Sequence, residues 1–203
     1  MPTKTFEVKK LMKLLSWFNI PVDKFGKGEA KSVQNLLDEI NNGDCRLIIS
    51  RDGIYREVFV IRAYINYKGL ILKEDKQVFD DGRIRERNYF HISEKIRVDE
   101  KFEEALKRAV KKELGIESKL NWENRSVGEK EDMDSLSYPM LTTRYLFFDR
   151  LIFFTDEQYK EEGYTEYKKS TGITTHFKWF SVDSSISKEL KCKLFNLIEK
   201  RTF

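Results

Sequence analysis

Apolar positions recur along this chain with two different periods, and the change of period divides it. Over residues 6–18, Leu11, Leu14, Leu15 and Phe18 fall at i, i+3, i+4 and i+7, one stripe on a helix. Pro21 stops that helix, because its ring removes a backbone donor. A second helix is predicted over residues 29–41, with Val33, Leu36, Leu37 and Ile40 on one face. Asn41-Asn42-Gly43-Asp44 closes it. From Cys45 the period shortens. Residues 45–50 are a short apolar run, Arg51-Asp52-Gly53 is a hairpin signal, and residues 57–66 are rich in Val, Ile, Phe and Tyr. Residues 70–78 alternate loosely after the turn at Tyr67-Lys68-Gly69. Residues 83–91 form a further strand after Asp80-Asp81-Gly82. The pattern is a meander of about four strands.

The clearest helix spans residues 99–114, where Phe102, Ala105, Leu106, Ala109 and Val110 share a face and Gly115 ends the run. Strands are expected over residues 117–124, 142–154 and 174–182. Residues 128–138 are acidic and polar and read as a loop; residues 156–170 read as a charged loop with a short helix. Leu190, Leu194, Leu197 and Ile198 mark a terminal helix over residues 187–201. Strands, helix, strands, helix is the order of an α/β unit, a mixed sheet held between helices. Residues 1–43 are then a helical N-terminal extension of a main domain at residues 44–203.

Composition changes this picture little. Fifteen Phe and nine Tyr rule out a disordered chain. A formal charge of +4 is too small to imply nucleic acid, but it permits an anionic ligand. Cys45 and Cys192 have no neighbours at zinc-site spacing and read as reduced core thiols. No stretch has the length or apolarity of a leader or membrane span, so a soluble cytoplasmic protein is expected.

Residues 94–116 read EKIRVDEKFEEALKRAVKKELGI. This segment resembles the Nudix box, G-x5-E-x7-R-E-U-x-E-E-x-G-U with U aliphatic. Glu100 takes the first Glu, Arg108 the Arg, Val110 the U, Glu113 the last Glu, Gly115 the Gly and Ile116 the final U. Glu94 stands where the family has Gly, and Ala109 and Lys112 stand where it has Glu. The preceding strand meander resembles the family too, as does the late strand Thr175-His176-Phe177-Lys178-Trp179-Phe180-Ser181. The resemblance implies a Nudix-like α/β/α sandwich. It also implies a reaction on diphosphates linked to another moiety, with Mg²⁺ or Mn²⁺ on the phosphate oxygens.

Hard cations need several oxygen ligands, and Glu residues at i, i+3 and i+4 converge on one. Here that trio is Ala109, Lys112 and Glu113, so one carboxylate survives. Glu113, with Glu100, would serve as metal ligand only if the protein is active. A replacement carboxylate would then come from elsewhere, such as residues 128–134. Lys112 either binds an anion in place of the metal or is a solvated residue on a retired face.

Arg83, Arg85 and Arg87 alternate on a strand and so share a face. With Lys95 and Arg97 they form either a phosphate grip, suited to the guanidinium fork, or an ordinary charged face. His176 falls where the family's pocket is often lined; His91 reads as structural. Residues 25–32 open a helix after glycines but lack P-loop spacing. Tyr64, Tyr67, Tyr89, Phe90, Tyr145 and Trp179 offer rings to a base or to the core.

The expectation is a catalytically impaired Nudix-like protein that binds a nucleotide, a nucleoside-diphosphate derivative or RNA. The rivals are an active pyrophosphohydrolase and a protein-interaction scaffold, either of them a possible homo-oligomer. Whether the chain is an enzyme stays open on the two missing glutamates.

Overall fold

A computed structural model describes residues 7–132 and 135–181. The terminal helix at residues 187–201 and Cys192 lie outside the described residues. The elements are α1 (Val8–Trp17), a 3₁₀ turn at Val22–Lys24, α2 (Val33–Asn41), and five strands, β1 (Arg46–Ser50), β2 (Gly53–Tyr67), β3 (Leu70–Phe79), β4 (Ile84–Tyr89) and β5 (Ile92–Ile96). Then come α3 (Phe102–Leu114), β6 (Asn121–Asp132), β7 (Thr143–Phe153), β8 (Tyr164–Lys168) and β9 (Ile173–Ser181). The class is α/β, a large mixed sheet with few helices, as the periodicity predicts. The sheet runs β6-β7-β2-β3-β9-β8, with β1 and β5 pairing with β2 and β4 pairing with β3.

Several elements differ from the sequence reading. Helix α2 begins at Val33, not at residue 29, because Ser32 caps it. The Ser32 hydroxyl accepts from the Asn35 N–H (3.1 Å), and the Asn35 side chain accepts from the Ser32 N–H (3.0 Å). The predicted strand at residues 83–91 is β4, and a further strand that the sequence reading did not give, β5, follows it. Strand β6 starts later than expected and runs to Asp132, into the stretch read as a loop. The segment read as a charged loop with a helix contains strand β8, whose exposed positions carry no apolar alternation.

The chain divides into two compact units. Unit 1 comprises Met1–Val60, Lys95–Phe102 and Val127–Phe147; unit 2 comprises Ile61–Glu94, Glu103–Ser126 and Phe148–Phe203. The core of unit 1 gathers Leu11 and Leu15 of α1, Leu36 and Leu37 of α2, and Cys45, Ile54, Val58, Tyr138 and Leu141. Cys45 is a buried free thiol, as expected. One ion network also belongs to this unit. The nearly buried Glu39 takes Arg56 at 2.5 Å, Lys31 at 2.6 Å and Lys95 at 3.1 Å. Burial opposes its ionisation, but the Lys31 hydrogen bond and the Arg56 and Lys95 charges prevail and hold it down to about 2.

In unit 2, α3 buries Ala105, Leu106, Ala109, Val110 and Leu114, the face its periodicity marks. The helix starts three residues later than residue 99, whose left-handed backbone (φ 70°) is not helical. Gly115 (φ 70°) turns the chain out of the helix, and its N–H bonds the Lys111 carbonyl at 2.9 Å.

Candidate functional site

Strands β4, β3, β9 and β8 lie side by side, and their registers set residues in rungs. Arg85 pairs with Gln77, Gln77 with Thr175, and Thr175 with Glu166. The next rung on the same face is Tyr89, Glu74, Phe177 and Tyr164. Glu74 and Gln77 are three apart, yet they share a face and bond each other (Gln77 Nε2 to Glu74 Oε1, 2.9 Å). A register shift between Glu74 and Lys76 makes this possible. It turns Asp75 away, where its carboxylate meets Lys73 (3.5 Å) and Lys178 (3.6 Å). Such a bulge re-aims side chains and bends its strand.

These rungs floor a pocket of about 400 Å³, wholly within unit 2. Arg85, Arg87, Tyr89 and His91 line one wall, Glu166 and Lys168 another, and Glu113 of α3 reaches in. Arg87 pairs with Glu74 at 3.1 Å. Arg85 donates to the neutral amide oxygen of Gln77. Arg87 lies over the Tyr89 ring (4.3 Å), and His91 stacks on the same ring (5.8 Å), so that ring is engaged in a column. Tyr64 meets His91 edge-on at 5.3 Å, and Ser93 Oγ is 2.8 Å from His91 Nδ1. Burial, and then the Arg62 charge, push His91 down to about 4, so it is neutral at pH 7.

The C-terminal half of α3 is arranged around three ion pairs. Lys112 Nζ is 2.5 Å from Glu94 Oε2 and 3.9 Å from Glu113 Oε1. Arg108 is 3.4 Å from the other Glu94 oxygen. Burial resists the Glu94 charge, but Lys112 and Arg108 overcome it and lower its pKa; Glu94 in turn raises that of Lys112. Glu113 contacts Glu166. Burial, and then that second carboxylate, push Glu113 up to about 8.

The pocket thus brings together Arg85, Arg87 and Glu113 of the predicted residues, with Lys112 beside Glu113. Other predicted residues lie elsewhere. Arg83 precedes β4, bonds Asp81 (2.7 Å) and packs over Phe79, so of the three arginines Arg85 and Arg87 line the pocket and Arg83 does not. His176 sits between Thr175 and Phe177, both of which line the pocket, and so faces the other side of β9. Lys95 and Arg97 belong to unit 1, where they pair with Glu39 and Asp44. Glu100 is also in unit 1, and its carboxylate accepts from the Arg97 N–H at 3.0 Å. Gly115 caps α3. The sequence reading missed Glu74, Gln77, Glu166 and Lys168, and took His91 as structural. Only Lys168 and Glu166, two apart on a strand that begins after Gly163, left a signal, and their charged setting hid it.

A divalent cation fits these residues poorly. Among the described residues no group of three or more His, Cys, Asp or Glu can hold a metal ion. Glu113 and Glu166 supply two carboxylates, and the Lys112 ammonium beside them repels a cation.

No family model matches the chain, and no curated protein matches it. Among solved structures it is similar to the dihydroneopterin triphosphate pyrophosphohydrolase of E. coli, at 16% identity and a TM-score of 0.45, over 70% of this chain and 95% of that one. It is similar to a MutT NUDIX hydrolase from Burkholderia pseudomallei, at 17% identity and a TM-score of 0.45, over 72% and 98%. A third similar structure is the Ap4A hydrolase of C. elegans, at 11% identity and a TM-score of 0.36, over 71% and 93%. Among the described residues, no helix is long and apolar enough to cross a membrane.

Proposed function

We propose that this is a divergent, catalytically impaired Nudix-like protein that binds a nucleotide-type ligand in the unit 2 pocket. One observation carries the reading. Where the box would gather carboxylates, Lys112 is locked to Glu94, and Glu113 faces another glutamate and a lysine. A cation-binding face has become an internally neutralised one. The neighbouring wall keeps Arg85, whose guanidinium donates to the neutral amide of Gln77, ready for an anion. Nucleotides, nucleoside-diphosphate derivatives and RNA all carry that anion; the pocket's size favours a small nucleotide.

Thermal unfolding with a nucleotide panel, with and without Mg²⁺ or Mn²⁺ and scored for phosphate release, tests this. Stabilisation without turnover is expected, near 2.7 kcal/mol for ligand at about a hundred times its Kd. Arg85→Ala should weaken it. A second reading, an active pyrophosphohydrolase, draws on the contact of Glu166 with Glu113, which returns a second carboxylate to the helix. Metal-dependent turnover that disappears in Glu113→Gln would establish that reading and overturn the first.

A further inference from the structure

The charges around the pocket limit how much phosphate it can take. Of its three basic side chains, Arg87 is committed to Glu74. Arg85 and Lys168 remain, and among the described residues no carboxylate lies within ion-pair distance of either. They rise from β4 and β8, the outer strands of the four that floor the pocket, so their long side chains approach a ligand from opposite sides. Two cations match the two charges of one phosphate monoester.

A longer phosphate chain meets a different environment. Among the described residues its additional charges find no further cation without a partner in the lining, because Arg87 and Glu74 already neutralise each other, and they fall beside the Glu113–Glu166 pair, whose two carboxylates share a proton and leave one negative charge. Divalent metal normally screens such a meeting, and the donor set to hold it is missing among the described residues. Size points the same way. At about 400 Å³ the cavity lies at the small end of ligand sites, which run from about 300 to 1,000 Å³. That is room for one nucleoside, with Ile92, Ile173 and the edge of the Arg87–Tyr89–His91 column as its wall.

We infer that the ligand is a nucleoside monophosphate whose single phosphate lies between Arg85 and Lys168, an inference that rests on the nucleotide reading above. Calorimetric titration of the full chain in EDTA tests it, using the four common ribonucleosides with their mono-, di- and triphosphates. For at least one base, the monophosphate binds tenfold or more tighter than the nucleoside and than the di- and triphosphate. Addition of Mg²⁺ leaves that order unchanged. Arg85→Gln and Lys168→Gln each remove most of the monophosphate's advantage. Both side chains are exposed, so melting temperatures stay near that of the parent. A diphosphate that binds as tightly, with or without Mg²⁺, overturns the inference and leaves the nucleotide reading standing. So does a monophosphate preference that survives both substitutions. If no nucleotide binds at any phosphate number, both fall.

Discussion

At the scale of the residue, two glutamates show opposite responses to being buried. Glu39 is held near 2 by three cations, against about 4.5 for the unfolded chain. A depressed carboxylate contributes stability that is present above the unfolded value and is lost as pH falls through 4.5 toward 2. The difference corresponds to about 3 kcal/mol. Glu39→Gln leaves the buried Arg56 without its counter-charge, so a loss of roughly 3–5 kcal/mol is expected at pH 7. Urea unfolding should show that loss shrinking at pH 2; a constant loss would mean the network is not ionic. Glu113 is the reverse case, raised from 4.5 to about 8. Its contribution is fully present below 4.5 and is lost as pH rises through 8. Glu113→Gln, which cannot ionise, should therefore gain on the parent between pH 5 and 9, read from the same unfolding curves. A variant that tracks the parent across that range would show that the two carboxylates do not share a proton.

At the scale of the element, helices were more legible than strands. The apolar faces of α1, α2 and α3 stand out at helical spacing, and the structure buries Leu11, Leu36 and Ala109 accordingly. Strand β8 reads Tyr-Thr-Glu-Tyr-Lys and buries only Tyr164, so no alternation announces it. Its position depends instead on Gly163 (φ 82°), where a Cβ would collide with the Phe177 carbonyl. Gly69 (φ 88°) has the same kind of backbone with open space around it. Gly163→Ala should then cost roughly 2–4 kcal/mol, strain and collision together. Gly69→Ala should cost about 1 kcal/mol, strain alone. Equal losses in urea unfolding would remove the close approach of β8 to β9 as the reason for the glycine. The same contact explains why half of the site was invisible in the sequence. Glu166 reaches Glu113 because β8 packs on β9, and no spacing between residues 113 and 166 reports that.

At the scale of the whole molecule, the α/β order of elements was readable, and so was helix α3. Glu94, Ala109 and Lys112 stand where the resemblance expects other residues, and the structure gives each a partner or a place. Glu94 holds Lys112 and Arg108, and Ala109 is core. Which arginines share a pocket followed from alternation for Arg85 and Arg87. It failed for Arg83, because the strand starts one residue later. The loose alternation of residues 70–78 has its cause in the bulge at Asp75. Between the two rungs of the pocket floor, the chain takes two residues in β9, three in β3 and four in β4. Parallel lanes on a running track lengthen in this way only on a bend, with the shortest lane inside. β8 and β9 are the short lanes and β3 and β4 the long ones, so the bulge bends β3 beneath the pocket. Deleting Asp75 would shorten the middle lane while leaving Glu74 and Gln77 on their common face. Such a variant should stay folded by circular dichroism and lose its ligand, because the floor keeps its residues but not its curvature.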